Sequence, residues 1–187
     1  MQIERQDIPN VVLLQPVVST DVRGEFVKTF EFSILEPWIG RFNVQEEFFS
    51  ISRKNVIRGM HFQAPPFSLN KIVYCALGSI TNVLLDLRRG SPTFGKHLSF
   101  ELNCTNRAIL YIPAGIANGF VATGENNCVM YKTDSSYRRS HDQGIRWNSF
   151  GFNWTIDAKE SILSDRDMLL PTFDSFESPF TMPSVNP

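Results

Sequence analysis

Histidine and cysteine are scarce in this chain of 187 residues, which contains three of each. His61, His97 and His141 lie far apart, and the residue two positions after His61 is Gln63 rather than a second histidine. Barrels that bind a metal usually supply an H-x-H pair, so this chain offers at most one nitrogen ligand at this place and we predict no metal site. The cysteines, odd in number and widely spaced, fit neither a disulfide framework nor a zinc ribbon.

The chain also lacks an excess of charge, because 18 basic residues are balanced by 19 acidic ones. This balance argues against a nucleic acid partner and against binding to a membrane surface. No run of about 18 apolar residues occurs, and the N-terminus has no apolar leader segment. We therefore expect a cytoplasmic protein with reduced thiols and no membrane partner.

Short apolar and β-branched segments separated by turn residues fill most of the chain, and only residues 30–42 give a convincing helical pattern before the C-terminal region. The predicted strands are 11–18, 48–52, 56–63, 71–77, 80–87, 97–102, 108–112, 119–123 and 128–133. This pattern predicts an all-β fold, an antiparallel jelly-roll sandwich or barrel with a few short helices. We assign residues 1–187 to a single domain and expect a loose tail at 178–187.

Three local features give more specific expectations. Pro16 marks the strand at 11–18 as an edge strand, and an apolar edge is usually covered by a second subunit, so we expect a homodimer. Gly78-Ser79 predicts a tight hairpin between its flanking strands. The 16 phenylalanines indicate a thick aromatic core or a flat surface that has to be covered.

The stretch from Val56 to Gln63 holds the most suggestive chemistry. On an extended backbone His61 and Gln63 share one face, while Arg58 is separated from His61. An imidazole can remove a proton from a carbon beside a carbonyl if a neighbouring group stabilises the enolate, and Lys71 and Tyr131 are candidates. The plainer alternatives are a hydrogen-bonded histidine in a half-buried strand, a solvated lysine and a core tyrosine.

A series of motifs along nearly the whole chain resembles the dTDP-4-dehydrorhamnose 3,5-epimerases of the cupin superfamily. The matching segments, in family order, are 21–26, 57–63, 71–73, 78–80, 86–88, 91–95, 112–115, 131–133, 144–148 and 162–167. The resemblance implies a cofactor-independent epimerase that inverts carbons 3 and 5 of a nucleotide-linked 4-keto-6-deoxyhexose through an enolate.

The resemblance also implies a set of catalytic residues. His61 corresponds to the general base and Asp167 to the carboxylate that orients it. Tyr131 corresponds to the acid on the opposite face, which inversion requires because a single base would return its own proton. Lys71 corresponds to the group that stabilises the enolate oxygen. From sequence alone, Asp167 has a second interpretation as a helix N-cap.

Six further residues are expected to bind the substrate. Arg58 and Arg23 suit the phosphates, and in the family the Arg23 segment comes from the other subunit of a strand-exchanged dimer; Arg23 alternatively caps a turn. The pocket is expected to include Tyr137, as a second aromatic, and the side chains of Phe26, Gln63 and Asn118.

The chain departs from the family pattern at three places. Asn118-Gly119-Phe120 stands where the family usually has His-Gly-Phe, Lys28 stands where glutamate is common, and Glu46-Glu47-Phe48 stands where Gln-Asp-Asn is usual. The nucleotide, the sugar and the number of inverted carbons therefore stay open. A single-centre epimerase or ketoisomerase, a sugar-nucleotide-binding cupin without catalysis, and a structural β-sandwich are the alternatives.

Overall fold

The computed structural model of the chain describes residues 2–182. The strands are β1 (Gln2–Arg5), β2 (Val12–Gln15), β3 (Val18–Asp21), β4 (Gly24–Val27), β5 (Glu46–Arg53), β6 (Ile57–Gln63), β7 (Lys71–Leu77), β8 (Ser79–Asp86), β9 (His97–Asn103), β10 (Ile109–Ile112), β11 (Ile116–Ala122), β12 (Asn126–Thr133) and β13 (Asp142–Gly144). The helices are α1 (Phe32–Ile39) and α2 (Asp165–Met168), with single 3-10 turns at Arg139–His141 and Phe173–Ser175.

The strands form two antiparallel sheets and a separate hairpin. The first sheet has the order β1-β2-β10-β7-β12-β5, the second has the order β13-β6-β11-β8-β9, and β3 pairs only with β4. Apolar side chains of both sheets meet in one cluster, which includes Val73, Leu110 and Val129 from the first sheet and Leu84 and Phe120 from the second. The prediction of an all-β sandwich with few helices is confirmed.

The outer face of each sheet is covered by a segment of the same chain. Leu35 of α1 and Phe42 pack against the first sheet at Ile72 and Ile109. On the second sheet, an aromatic cluster from the C-terminal third of the chain packs over the outward side chains of β6, β8 and β11. This cluster consists of Trp147, Phe150, Phe152, Trp154, Phe173, Phe176 and Phe180. Several of the chain's phenylalanines therefore cover the flat outer face of a sheet, which is one of the two roles predicted for them.

The edge of the first sheet is not where the sequence indicated. Residues 12–15 form β2, which pairs with β1 on one side and β10 on the other, so β2 lies inside the sheet. Pro16 follows the last residue of β2, where its missing N–H interrupts no ladder. The edge strand on this side of the sheet is β1, which was not predicted from the sequence.

The predicted hairpin at Gly78-Ser79 is also wrong. β7 pairs with β10 and β12, whereas β8 pairs with β9 and β11, so Gly78 links the two sheets. Gly78 has φ +81°, and an added Cβ would lie 2.2 Å from the carbonyl oxygen of Asn126. A glycine with positive φ suits a hairpin turn and a sharp bend between two sheets equally well. Only the pairing of the flanking strands distinguishes the two cases.

Two of the family-like motifs build a buried loop behind the second sheet. The carboxylate of Asp86 is fully buried and accepts hydrogen bonds from the guanidinium of Arg88 and the hydroxyls of Ser91 and Thr93. Burial raises the pKa of Asp86, but these donors outweigh it and lower the pKa below its usual value. These motifs therefore hold the loop in shape and lie outside the cavity described below.

The first part of the expected loose tail is packed. Ser178 and Phe180 are buried, the carbonyl of Phe180 accepts the N–H of Arg89 at 3.0 Å, and the N–H of Met182 donates back to Arg89 at 2.8 Å. Residues 178–182 thus contact the loop that contains Arg89, and the remainder of the predicted tail, 183–187, lies outside the described residues. None of the helices within residues 2–182 has the length and hydrophobicity needed to cross a membrane.

Candidate active site

A cavity of about 380 Å³ opens between the two sheets, at the end where β6 finishes and β7 begins. β5 and β12 form one wall and β6 and β11 the other, and α2 closes one side. Eight of the ten residues predicted for the site line this cavity: His61, Asp167, Tyr131, Lys71, Arg58, Gln63, Asn118 and Tyr137. Side chains that point inward from the two sheets thus converge on one space, as expected where two sheets face each other.

His61 and Asp167 form the tightest polar contact in the cavity. His61 Nε2 lies 2.7 Å from Asp167 Oδ1, and Asp167 Oδ2 accepts the N–H of Gly59 at 3.3 Å. Burial raises the pKa of Asp167, but the hydrogen bond and charge of His61 lower it below its usual value, so the group is a carboxylate. In the neutral imidazole, the nitrogen that faces this carboxylate, Nε2, carries the ring proton, and the lone pair of Nδ1 is left as the basic site.

Asp167 reaches His61 because α2 begins at the edge of the cavity. The cap of this helix is Ser164, whose hydroxyl accepts the N–H of Asp167 at 3.1 Å. Asp167 is therefore not the N-cap, and its carboxylate is available to the imidazole.

Arg58 shares the cavity with His61, contrary to the alternation expected for an extended strand. Pairing between β6 and β11 shifts by one residue between the pairs Asn118 with His61 and Phe120 with Arg58. Such a bulge turns both side chains to one side. The Arg58 guanidinium donates to Ser52 Oγ at 3.0 Å and to the carbonyl of residue 51 at 3.2 Å.

Lys71, the first residue of β7, is a half-buried ammonium. Burial lowers its pKa to about 8, and the charge of Asp142 acts in the opposite direction. Asp142 in turn lies 2.8 Å from Arg166 Nη1 and accepts the hydroxyl of Tyr137 at 3.0 Å. Asp142 and Arg166 were not predicted as site residues, although Arg166 directly precedes Asp167 in the sequence, and Asp142 lies on β13, which pairs with β6.

Tyr131 lies on the wall formed by β12. Its ring is stacked on that of Phe48, the residue directly opposite on β5, with a centroid distance of 5.0 Å and an interplanar angle of 14°. Burial raises the pKa of the Tyr131 phenol well above its usual range, against the smaller effects of Ser50 and Arg58. The phenol therefore carries its proton at neutral pH, as an acid must.

Two of the predicted binding residues are already engaged by the protein. The Gln63 amide donates to the carbonyls of Phe67 and Ser136 and accepts the N–H of Arg138 at 2.7 Å. Asn118 donates to the side chain of Asn82 at 2.9 Å. Gln63 therefore joins the two loops at the cavity mouth, which is a structural task.

Arg23 and Phe26 do not line the cavity of their own chain. They belong to the β3–β4 hairpin, where Arg23 forms an ion pair with Asp21 in the turn and Phe26 is 65% exposed. Within one chain, the contacts of Arg23 are therefore those of a residue that caps a turn, the second of its two interpretations. Lys28, nearby, pairs with Glu31 at 2.9 Å.

The cavity brings together an imidazole, a phenol, an ammonium and guanidinium groups. Within residues 2–182, no group of three or more histidine, cysteine, aspartate or glutamate side chains is arranged to hold a metal ion. The chemistry that the described side chains themselves supply is proton transfer.

Comparison with known proteins identifies the family. The family model described as dTDP-4-dehydrorhamnose 3,5-epimerase matches residues 5–175. The chain belongs to this family. Its members are isomerases, and the expected resemblance is confirmed over most of the chain.

Three relatives of this epimerase family illustrate the range of similarity. A dTDP-4-dehydrorhamnose 3,5-epimerase of Shigella flexneri is 34% identical over 169 residues, which cover 90% of this chain and 93% of the relative. The crystal structure of a Legionella pneumophila 3,5-epimerase in complex with dTDP-4-keto-L-rhamnose has a TM-score of 0.89 and 26% identity, covering 94% of both chains. The structure of a 3'-monoepimerase from Streptomyces bikiniensis in complex with dTDP-quinovose has a TM-score of 0.84 and 26% identity, covering 89% of this chain and 85% of the other.

Proposed function

We propose that this protein epimerises a dTDP-linked 4-keto-6-deoxyhexose at carbon 3, carbon 5 or both, through an enolate and without a metal or organic cofactor. One observation carries the proposal: a histidine bonded to a buried carboxylate shares a cavity with a protonated tyrosine and a half-buried lysine. The structures of two relatives are complexes with dTDP sugars, which supports the choice of nucleotide.

Each side chain has one step in this proposal. Nδ1 of His61 takes the proton from the carbon beside the ketone, and the Asp167 carboxylate stabilises the resulting imidazolium. The electron pair of the broken C–H bond moves to the ketone oxygen, where the Lys71 ammonium stabilises the enolate. The Tyr131 phenol then donates a proton to the opposite face of the carbon, which inverts it.

Isotope exchange in deuterated water tests the proposal directly. We expect wild-type protein with dTDP-4-keto-6-deoxyglucose to introduce deuterium at carbons 3 and 5, as followed by NMR. The same assay with CDP-, GDP- and UDP-linked 4-keto sugars tests the nucleotide. No exchange with any of the four would contradict the proposal.

A single-centre epimerase is the second candidate, favoured by the similarity to the 3'-monoepimerase. Deuterium entering only one carbon, with inversion only there, would select this candidate. The chemistry of base and acid is the same in both cases, because each inversion needs one group on each face.

We further propose that residues 1–187 form one domain that assembles as a homodimer, in which the β3–β4 hairpin of one protomer completes the cavity of the other. Exposed apolar side chains support an interface of this kind. Val22 and Phe26 are exposed on the hairpin, and Phe49 and Ile51 are exposed on β5 at the edge of the first sheet. The cytoplasm is the proposed location, since three cysteines in odd number suit a reducing compartment.

Mixing two inactive variants tests the shared cavity. We expect Arg23→Ala and His61→Asn each to be inactive alone, because one removes the phosphate contact and the other the base. After denaturation and refolding of an equal mixture, about a quarter of wild-type activity is expected, since half the dimers are mixed and one of their two cavities is intact.

Light scattering of each variant is the control, because both must remain dimeric. If each cavity used the Arg23 of its own chain, the mixture would stay inactive, and the exchange of hairpins would be ruled out.

A further inference from the structure

We propose that Phe48 is a positioning residue for Tyr131, holding the acid of the reaction in one orientation over the cavity. The inference rests on the proposed function, because it takes Tyr131 as the acid. It adds a residue that the resemblance does not supply, since Phe48 stands at one of the departures from the family pattern, where asparagine is usual.

The strand register fixes the contact between the two rings. Tyr131 of β12 pairs with Phe48 of β5 on one side and with Val73 of β7 on the other. Residues directly opposite each other on antiparallel strands present their side chains to the same face. The phenol ring therefore stands in a row between a fully buried valine and the ring of Phe48.

The stacked ring of Phe48 limits the motion of the Tyr131 phenol. The rings are almost parallel, at 14°, with centroids 5.0 Å apart, which is an offset stacked geometry. Because Phe48 lies directly opposite on β5, its ring blocks rotation of the Tyr131 ring toward that strand.

Orientation of the acid decides what happens to the enolate. If Tyr131 is in place, its proton reaches the carbon on the face opposite His61 and the centre inverts. If it is displaced, the imidazolium returns a proton to the original face and the substrate re-forms unchanged. In deuterated water the second route, after the imidazolium has exchanged its proton with solvent, gives labelled substrate without inversion.

The ratio of exchange without inversion to inversion is therefore the measurement that reports positioning. We expect Phe48→Leu to raise this ratio on the order of tenfold and to lower kcat by a similar factor, because small misplacement of a reacting group has large kinetic effects. KM should stay within about twofold, since the change removes an interaction used only in protonation. Phe48→Tyr keeps the ring and should restore a ratio close to that of the wild type.

Phe94→Leu is the matched control. Phe94 is 44% exposed, compared with 47% for Phe48, and also packs against a second aromatic ring, that of Phe173, but it lies outside the cavity. This variant should keep the wild-type ratio, and melting temperatures of all three variants establish that they are folded.

Two outcomes would overturn the proposal. If Phe48→Leu left the ratio of exchange without inversion to inversion unchanged, or raised KM alone, Phe48 would only line the cavity or contact the substrate. Failure of the proposed function is a different result, because wild-type protein would then show neither exchange nor inversion.

Discussion

Replacing His61 with asparagine is expected to lower kcat by about 10²- to 10⁴-fold, the usual contribution of a positioned base. An asparagine side chain still bonds to Asp167 but cannot accept a proton from carbon. Deuterium incorporation at both carbons of the dTDP-linked sugar should fall by the same factor, because removal of the proton precedes both exchange and inversion. Substrate affinity, measured by calorimetry, should change little.

Asp167→Asn tests the partner of His61, since this change keeps the shape of the side chain at position 167 and removes its negative charge. A neutral amide no longer stabilises the imidazolium, so kcat should fall by roughly 10²-fold or more. Asp165→Asn is the matched control, an exposed carboxylate on the same short helix that does not line the cavity. Equal losses in the two variants, or full activity in Asp167→Asn, would remove Asp167 from the mechanism.

The strands and residues that line this site were easier to predict from the sequence than the contacts between those residues. Alternating apolar residues specified strands of two facing sheets, and the family-like order of motifs specified which side chains would meet. His61 and Asp167 are 106 residues apart, and no local pattern brings them together. Their contact was predictable only through the resemblance, because the pairing of β6 with its neighbours and the position of α2 depend on the whole fold.

The failures have a common physical cause, which is that local signals do not specify the partner of a strand. Gly78 provides a sharp change of direction whether the chain turns back or crosses to the other sheet. Pro16 disfavours a central ladder position, but it lies one residue beyond β2 and disturbs nothing. Arg58 was assigned away from His61 because alternation assumes a regular strand, and the shifted register against β11 breaks that assumption.

Asp142 and Arg166 show what a search for single catalytic residues overlooks. Their ion pair lines the cavity, and Asp142 opposes the effect of burial on Lys71. Neither residue stands out in sequence, since each lies in an ordinary polar stretch. Asp142 reaches the cavity because β13 pairs with β6, the strand that carries His61.

Tyr131→Phe is expected to separate proton removal from inversion. The phenylalanine ring keeps the stack on Phe48 and the packing of β12, but it has no proton to give. Inversion should fall by about 10²- to 10³-fold, as for loss of a positioned acid. Proton removal by His61 does not need the phenol, so deuterium should still enter recovered substrate of unchanged configuration at a rate within about tenfold of the wild type.

Tyr111→Phe is the matched control for this experiment. Tyr111 is also buried, but it packs on the outer face of the first sheet, where its hydroxyl donates to the carbonyl of Ile39 at 3.5 Å. This variant should invert and exchange like the wild type. If Tyr131→Phe lost exchange and inversion together, the phenol would be needed before the enolate forms. The proposal that Tyr131 acts only as the acid on the opposite face would then be wrong. Retained exchange with lost inversion, by contrast, would assign the two faces of the sugar to His61 and Tyr131 separately.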